Sequence, residues 1–189
     1  MVGPEIAGRT VNLRPLKADD LQRRAEWLND LETVRFFTGC LPTRAYDMND
    51  AQRWQQNLEN DVTALVWAIE TKDRRHIGDI DLHSIDRYYK SAKLTIMIGD
   101  KTSWNQGFGT DAIVAMLDHA FSELRMLNID LRVFDFNARA LRCYEKCGFA
   151  ESNTPSPGQM GASESGEVYM TISRERYFAR RPDATAVQS

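Results

Sequence analysis

An α/β fold with a mixed sheet is predicted by three features: short runs of polar–apolar alternation, stretches where the apolar period becomes helical, and an order in which a block of strands is followed by helix–strand alternation. The 189 residues suit one domain. Their 42% hydrophobic and 27% charged content is enough for a core and too apolar for a disordered chain. The domain is expected over residues 1–178, with 179–189 as a flexible C-terminal tail.

Val11 and Leu13 alternate with Asn12 and Arg14 before Pro15, which reads as a short half-buried strand closed by a breaker. Asp19 is expected to cap a helix carrying Leu21, Ala25 and Leu28, ended by Asn29 and Asp30. Residues 34–46 hold Phe36, Phe37, Gly39, Pro42 and Tyr46 and look too irregular for a regular element; their aromatics either line a pocket or pack into the core. A second helix is predicted from about Asp50, capped by Asn49, with Ala51, Trp54 and Leu58 on one face. Residues 62–69, 77–82 and 94–98 then read as three antiparallel strands, the first two separated by a polar turn at Lys72, Asp73 and Arg74.

From Thr110 the period changes. Ile113, Met116 or Leu117, Ala120 or Phe121, and Leu124 share one helical stripe, opposite Asp111, Asp118 and Ser122. Ile129, Leu131 and Val133 alternate with Asp130 and Arg132 as a strand. Asn137 then caps a helix that Gly148 ends. Residues 151–166 are rich in Ser, Pro and Gly and are expected to form a mobile loop, before Val168, Met170 and Ile172 alternate as a last strand.

Several function classes are disfavoured. No run approaches the ~20 apolar residues of a membrane crossing, and no leader pattern opens the chain, so no membrane partner is expected. A formal net charge of -3 gives no electrostatic footprint for nucleic acid. Three irregularly spaced cysteines, Cys40, Cys143 and Cys147, suit a reducing compartment, so a cytoplasmic location is expected. His76, His83 and His119 have no metal-ligand spacing, and no metal is expected.

The most informative stretch runs from Ile96 through Met97, Ile98 and Gly99 to Trp104-Asn105-Gln106-Gly107-Phe108-Gly109-Thr110. A strand enters a glycine-bearing turn that opens an amphipathic helix, so backbone N–H groups converge at the positive end of a helix dipole, an arrangement that holds phosphate. A plain tight turn would look the same. The dinucleotide fingerprint lacks an early βαβ unit here, and a P-loop would need Gly-Lys-Ser/Thr. Downstream lies Asn137-Ala138-Arg139-Ala140-Leu141-Arg142-Cys143-Tyr144-Glu145-Lys146-Cys147-Gly148-Phe149.

On these two stretches the chain resembles the GCN5-related N-acetyltransferase (GNAT) superfamily over about residues 9–175. Within it the likeness is to the branch of ribosomal-protein alanine and spermidine acetyltransferases. The pattern there is R/Q-x-x-G-x-G/A, with Trp104 standing at its first position. The resemblance implies a mostly antiparallel mixed sheet flanked by helices, its strands splayed around an acetyl-CoA slot. It implies that Met97, Ile98 and Gly99 meet the pantetheine arm of acetyl-CoA, the co-substrate. Residues Trp104, Asn105, Gln106, Gly107, Phe108, Gly109 and Thr110 would cradle the pyrophosphate, and Asn137 would touch the arm. Tyr144 is implied as the general acid for the leaving thiolate, because a phenol of reference pKa about 10 can donate to it. Strand N–H groups near Ile98 would stabilise the oxyanion.

The general base is less defined. Many members carry a glutamate where this chain has Lys93, which leaves Asp79, Asp81 or His83, or a water chain, to accept the amine's proton. Phe36, Asp81 and His83 are the candidate acceptor-binding residues. Cys143 and Cys147 flank Tyr144 at helical spacing, but direct attack by an amine needs no acyl-cysteine, and packing explains them. Arg139, Arg142 and Lys146 either reach phosphates or form a solvated face. The implied activity is acetyl transfer to a primary amine (a protein N-terminus, polyamine, amino sugar or antibiotic) by direct attack in a ternary complex. Two alternatives stay open: a non-catalytic acyl-CoA-binding module, and a plain nucleotide-binding protein. A homodimer is the assembly to test.

Overall fold

The computed structural model describes residues 3–38, 43–159 and 166–181. They form two compact units, drawn from the described residues of Met1–His83 with Thr95–Met116 and of Ser84–Leu94 with Leu117–Ser189. Two strands and one helix run through both.

In the first unit, the alternation at Val11 and Leu13 becomes β2 (Val11–Arg14), preceded by β1 (Ile6–Ala7), which is too short for any period to register. Next come α1 (Ala18–Asn29), α2 (Leu31–Thr38), α3 (Met48–Asn60), β3 (Leu65–Thr71), β4 (His76–Asp86) and β5 (Ser91–Ile98). The strand order is β1-β2-β3-β4-β5. Antiparallel registers place Leu13 opposite Ile69 and Trp67 opposite Ile80, with an irregularity between Ile69 and Glu70. Leu13, Trp67, Ile69, Ile77, Ile80 and Leu82 are fully buried.

The second unit takes up the opening residues of β5, which pair in parallel with β6 (Asn128–Phe134) from Ser91↔Asn128 to Lys93↔Asp130. Parallel neighbours need a crossover, and α4 (Phe108–Ser122) supplies it. Beyond β6 come α5 (Ala138–Cys147), β7 (Ala150–Glu151), β8 (Glu167–Ser173) and α6 (Arg174–Ala179), in strand order β5-β6-β8-β7. β6 and β8 are antiparallel over their whole length, from Asn128↔Ser173 to Phe134↔Glu167. With one parallel pair among antiparallel ones, the expected α/β mixed sheet is found.

Several boundaries differ from expectation, each for a capping reason. α1 starts before Asp19, with Lys17 at its N-cap, and the Asp20 carboxylate accepts the Lys17 N–H at 2.7 Å. Residues 34–38, expected to be irregular, are helical. Asp30 ends α1 and also caps α2, accepting the Thr33 N–H at 2.9 Å and the Thr33 hydroxyl at 3.0 Å. Gly39, Cys40 and Pro42 lie outside the described residues. α3 is capped by Asp47 rather than Asn49, in a reciprocal box with Asp50. β3 starts later than residue 62 because Asp61 draws Thr63 into a turn.

The expectation of a mobile 151–166 loop is corrected for residues 152–159. The Ser152 N–H donates to the Tyr169 carbonyl, Ser156 donates to Asp130, the Ser91 hydroxyl donates to the Pro157 carbonyl, and Gln159 donates to the Ser84 carbonyl and the Ser91 hydroxyl. Residues 160–165 lie outside the described residues. α6 and an Arg181–Asp118 ion pair at 2.9 Å extend the order through residue 181, and the remaining tail, 182–189, lies outside the description.

Candidate active site

The strand-to-helix turn predicted to hold phosphate is built from two left-handed residues, Asn105 (φ 61°) and Gly107 (φ 84°), ahead of α4. The Asp111 N–H bonds to the Gly107 carbonyl, which makes Gly107 the cap and directs the first N–H groups of α4, those of Phe108 and Gly109, out of the helix start. Asp111 fixes this helix start. Its buried carboxylate accepts the N–H groups of Arg9, Thr10 and Val11 and the Thr10 hydroxyl, at 2.7–3.1 Å. Burial alone would raise this carboxyl, but the backbone and hydroxyl donors outweigh it and hold it below its ordinary value.

Trp104, at the Arg/Gln position of the motif, turns inward: its indole N–H donates to the Ile98 carbonyl at 2.6 Å. Phe36 of α2 meets it edge-on, with centroids 6.2 Å apart, so the structure brings this expected acceptor residue to the motif turn. On β5 the polar groups alternate between edges. The Ile77 carbonyl of β4 accepts the Gly99 and Asp100 N–H groups, and the Met97 carbonyl sits over Gly78, where a Cβ would meet it at 2.0 Å. Ile98 therefore presents its N–H to the opposite edge, and among 97–99 it is the residue placed to meet an extended ligand chain. Gly99 has a second reason to be glycine, because a Cβ there would lie 2.0 Å from the Trp27 ring. Trp27, Leu28 and Met97 form a buried cluster, and Phe37 and Tyr46, partly buried, pack against it.

Asp79, Asp81 and His83 share one face of β4 but sit in different surroundings. Asp79 is committed to a buried ionic web absent from the sequence reading. Arg24 Nη1 reaches its Oδ2 at 2.5 Å and His76 Nε2 its Oδ1 at 3.1 Å, while His76 Nδ1 lies 3.2 Å from Asp20. Arg14 bridges Asp20 at 2.7 Å and Glu70 at 2.6 Å. A signal was present in the spacing: Asp20, Arg24 and Trp27 follow the same helical period as Leu21, Ala25 and Leu28. Asp81 and His83, by contrast, are only partly covered and pair with each other, Oδ1 to Nδ1, at 2.8 Å.

In the second unit, α5 presents the other two expected residues. Asn137 Oδ1 accepts the Ala140 N–H at 3.1 Å as the helix cap, which leaves Nδ2 as the free side of a mostly buried amide. Tyr144 is buried, its ring edge-on to Phe149 with centroids 5.9 Å apart, and its hydroxyl has no hydrogen bond among the described residues. Burial pushes its phenol above the ordinary value of 10, so it carries its proton at neutral pH. Cys147 is raised by its contact with Cys143 and by burial, which makes it a poor nucleophile. Gly148 closes α5 at φ 104°. Lys93 sits opposite Asp130 in the register of β5 and β6; burial and Arg132 pull its ammonium below its ordinary value. Among the described residues no three His, Cys, Asp or Glu side chains are grouped as metal ligands, and no helix is long and apolar enough to cross a membrane.

The chain is similar to known proteins over most of its length. A probable N-acetyltransferase, YjcK, from Bacillus subtilis is 30% identical over 154 residues, 76% of this chain and 82% of its own. The spermidine N(1)-acetyltransferase of Vibrio cholerae is 32% identical over 141 residues, 75% of this chain and 79% of its own. A structure of a spermidine N-acetyltransferase from Vibrio cholerae, in complex with CoA and spermine, superposes with a TM-score of 0.74 at 22% identity, covering 89% of this chain and 98% of that one, a likeness of fold. Residues 10–150, which hold the turn, Asn137 and Tyr144, match the family model described as an acetyltransferase (GNAT) domain, and the chain accordingly belongs to the GNAT acetyltransferase family and is an N-acetyltransferase.

Proposed function

We propose that this protein transfers the acetyl group of acetyl-CoA to a primary amine of a small-molecule acceptor, by direct attack in a ternary complex. The observation that carries the reading is the turn that opens α4. Asn105 and Gly107 are left-handed, the start of α4 turns its first N–H groups outward, and the carboxylate of Asp111 locks the turn in place. In this reading the N–H groups across Asn105, Gln106, Gly107, Phe108, Gly109 and Thr110 hold the diphosphate, and the pantetheine arm lies along β5. The Ile98 N–H serves the arm and Asn137 Nδ2 touches it. Met97, Gly99 and Trp104 shape that edge rather than donate to it.

Tyr144 gives its proton to the sulfur as the carbon–sulfur bond breaks. A buried phenol without a hydrogen-bond partner is protonated and available, which suits a donor. The relatives named for spermidine and for aminoglycosides, the latter 23% identical over 181 residues in Klebsiella pneumoniae, make polyamines and amino sugars the first acceptors to try.

Purified protein incubated with acetyl-CoA and a panel of spermidine, spermine, kanamycin and an N-terminal alanyl peptide is expected to release free thiol with at least one amine. Tyr144→Phe is expected to slow that release by about 10²-fold with little change in acetyl-CoA affinity. Tight acetyl-CoA binding without thiol release on any amine would favour a binding module instead. Unchanged turnover in Tyr144→Phe would remove the phenol from the reaction.

A further inference from the structure

An alkyl ammonium has no lone pair, so it must lose a proton before its nitrogen can attack an acyl carbon. The position at which the family resemblance implies a glutamate is Lys93 here. On β4, Asp79 is not available to replace it: both carboxylate oxygens are engaged, by Arg24 and His76, in a place only 4% exposed.

The geometry points to His83, oriented by Asp81, as the general base that takes the proton from the acceptor amine; this deepens the acetyl-transfer reading and rests on it. The carboxylate of Asp81 can only accept, so the 2.8 Å contact puts the imidazole proton on Nδ1 and the lone pair on Nε2. No hydrogen bond engages Nε2 among the described residues, and the His83 side chain is 38% exposed, so an acceptor can approach it. The other charged group facing the ring is the Asp61 carboxylate at the end of α3, itself held by the N–H and hydroxyl of Thr63.

The strand direction also fits. β4 neighbours β5, with the Ile77 carbonyl bonded to Gly99 near the diphosphate turn. An arm running back along β5 from that turn advances in the direction in which β4 runs from Ile77 to Asp81 and His83, so the pair flanks its acyl end. In the step itself, the acceptor ammonium passes one proton to Nε2 of His83, and the freed nitrogen then bonds to the thioester carbonyl carbon. The carbon–sulfur electron pair leaves with the sulfur, which takes the Tyr144 proton; the proton that the nitrogen sheds on becoming an amide restores the phenol, and the imidazolium returns its own proton to water. Asp81 acts as a positioning residue.

The test compares spermidine, whose amines are protonated at neutral pH, with O-benzylhydroxylamine, which is already a free base. His83→Ala and His83→Gln are expected to lower kcat/KM for spermidine by about 10²-fold or more and to abolish the acid limb of its pH profile. They should spare the weakly basic acceptor and leave acetyl-CoA affinity by calorimetry unchanged. Asp81→Asn should lose about tenfold on spermidine, with recovery in Asp81→Glu. Equal loss on both acceptors, an acid limb that survives in both His83 variants, or one that disappears instead in Lys93→Met would each overturn the base while leaving acetyl transfer standing. Wild-type protein that binds acetyl-CoA but releases no thiol with any amine would overturn the transfer reading, and the base with it.

Discussion

Each unit buries one aspartate on a central strand, and the two are held by opposite means. Asp79, 4% exposed, faces a guanidinium and an imidazole: Arg24 at 2.5 Å and His76 at 3.1 Å. Asp130, fully buried, accepts from neutral donors: the Ser156 N–H at 2.8 Å and hydroxyl at 2.7 Å, the Thr171 hydroxyl at 2.7 Å and the Tyr169 hydroxyl at 2.5 Å. A charge-paired site ties distant helices to a sheet, because each partner is costly to bury without the other. A hydroxyl-lined site spreads one charge over several modest bonds and here fastens a loop, residues 152–159, onto β6 and β8. Loss of one partner should therefore matter most where the partner carries a charge.

The sharpest way to break the contrast is Arg24→Met. It leaves Asp79 buried without its guanidinium and removes the cation that stacks over Trp54, 3.7 Å from the ring centroid. A loss of about 3–5 kcal/mol is expected in urea unfolding followed by circular dichroism. The double variant Arg24→Met with Asp79→Leu should recover much of that loss, because no charge is then stranded. Tyr169→Phe should cost less, about 1.5–3 kcal/mol, since three donors to Asp130 remain. The Tyr169 phenol is raised above its ordinary value by burial and by its bond to that carboxylate, so the bond persists into alkaline solution. If Tyr169→Phe cost as much as Arg24→Met, the distinction between charged and neutral partners would fail.

The same contrast explains what the sequence could show. Strand signals located β2, β4, β5, β6 and β8 and helical periods located α1, α3 and α4, because in each the apolar residues recur in one phase, while α5 was marked by its cap, Asn137, and its stop, Gly148. The periods were silent where polar residues occupy the buried phase. Asp130 alternates with Ile129 and Leu131 as a solvent-facing residue would, yet it is fully enclosed, since four donors from β8 and from the loop that precedes it converge on it. Asp20 and Arg24 hide within α1 in the same way. α2 escaped notice because its cap, Asp30, doubles as the end of α1. In the candidate site, the turn, Asn137 and Tyr144 were legible as motif residues. The pairing of Asp81 with His83 and the anchor at Asp111 were not, because both depend on which side chains share a strand face or meet across more than a hundred residues.

Asp111 offers the finest test of the comparison, as a buried carboxylate held chiefly by three backbone N–H groups, with only the exposed guanidinium of Arg9 nearby at 3.8 Å. Its folded value is depressed, so the stability it adds is complete above the unfolded carboxylate value of about 3.9 and fades as the pH falls through the lower folded value. Asp111→Asn is therefore expected to lower stability by about 1–2 kcal/mol at pH 7. The gap in Tm from wild type should close as the pH drops toward 3 and below. A gap that stayed constant with pH would mean the charge contributes nothing beyond the geometry of its donors, and Asp111 would join the neutral-donor class of Asp130. A gap that closes would place it with Asp79, as a charge whose partners happen to be the backbone itself.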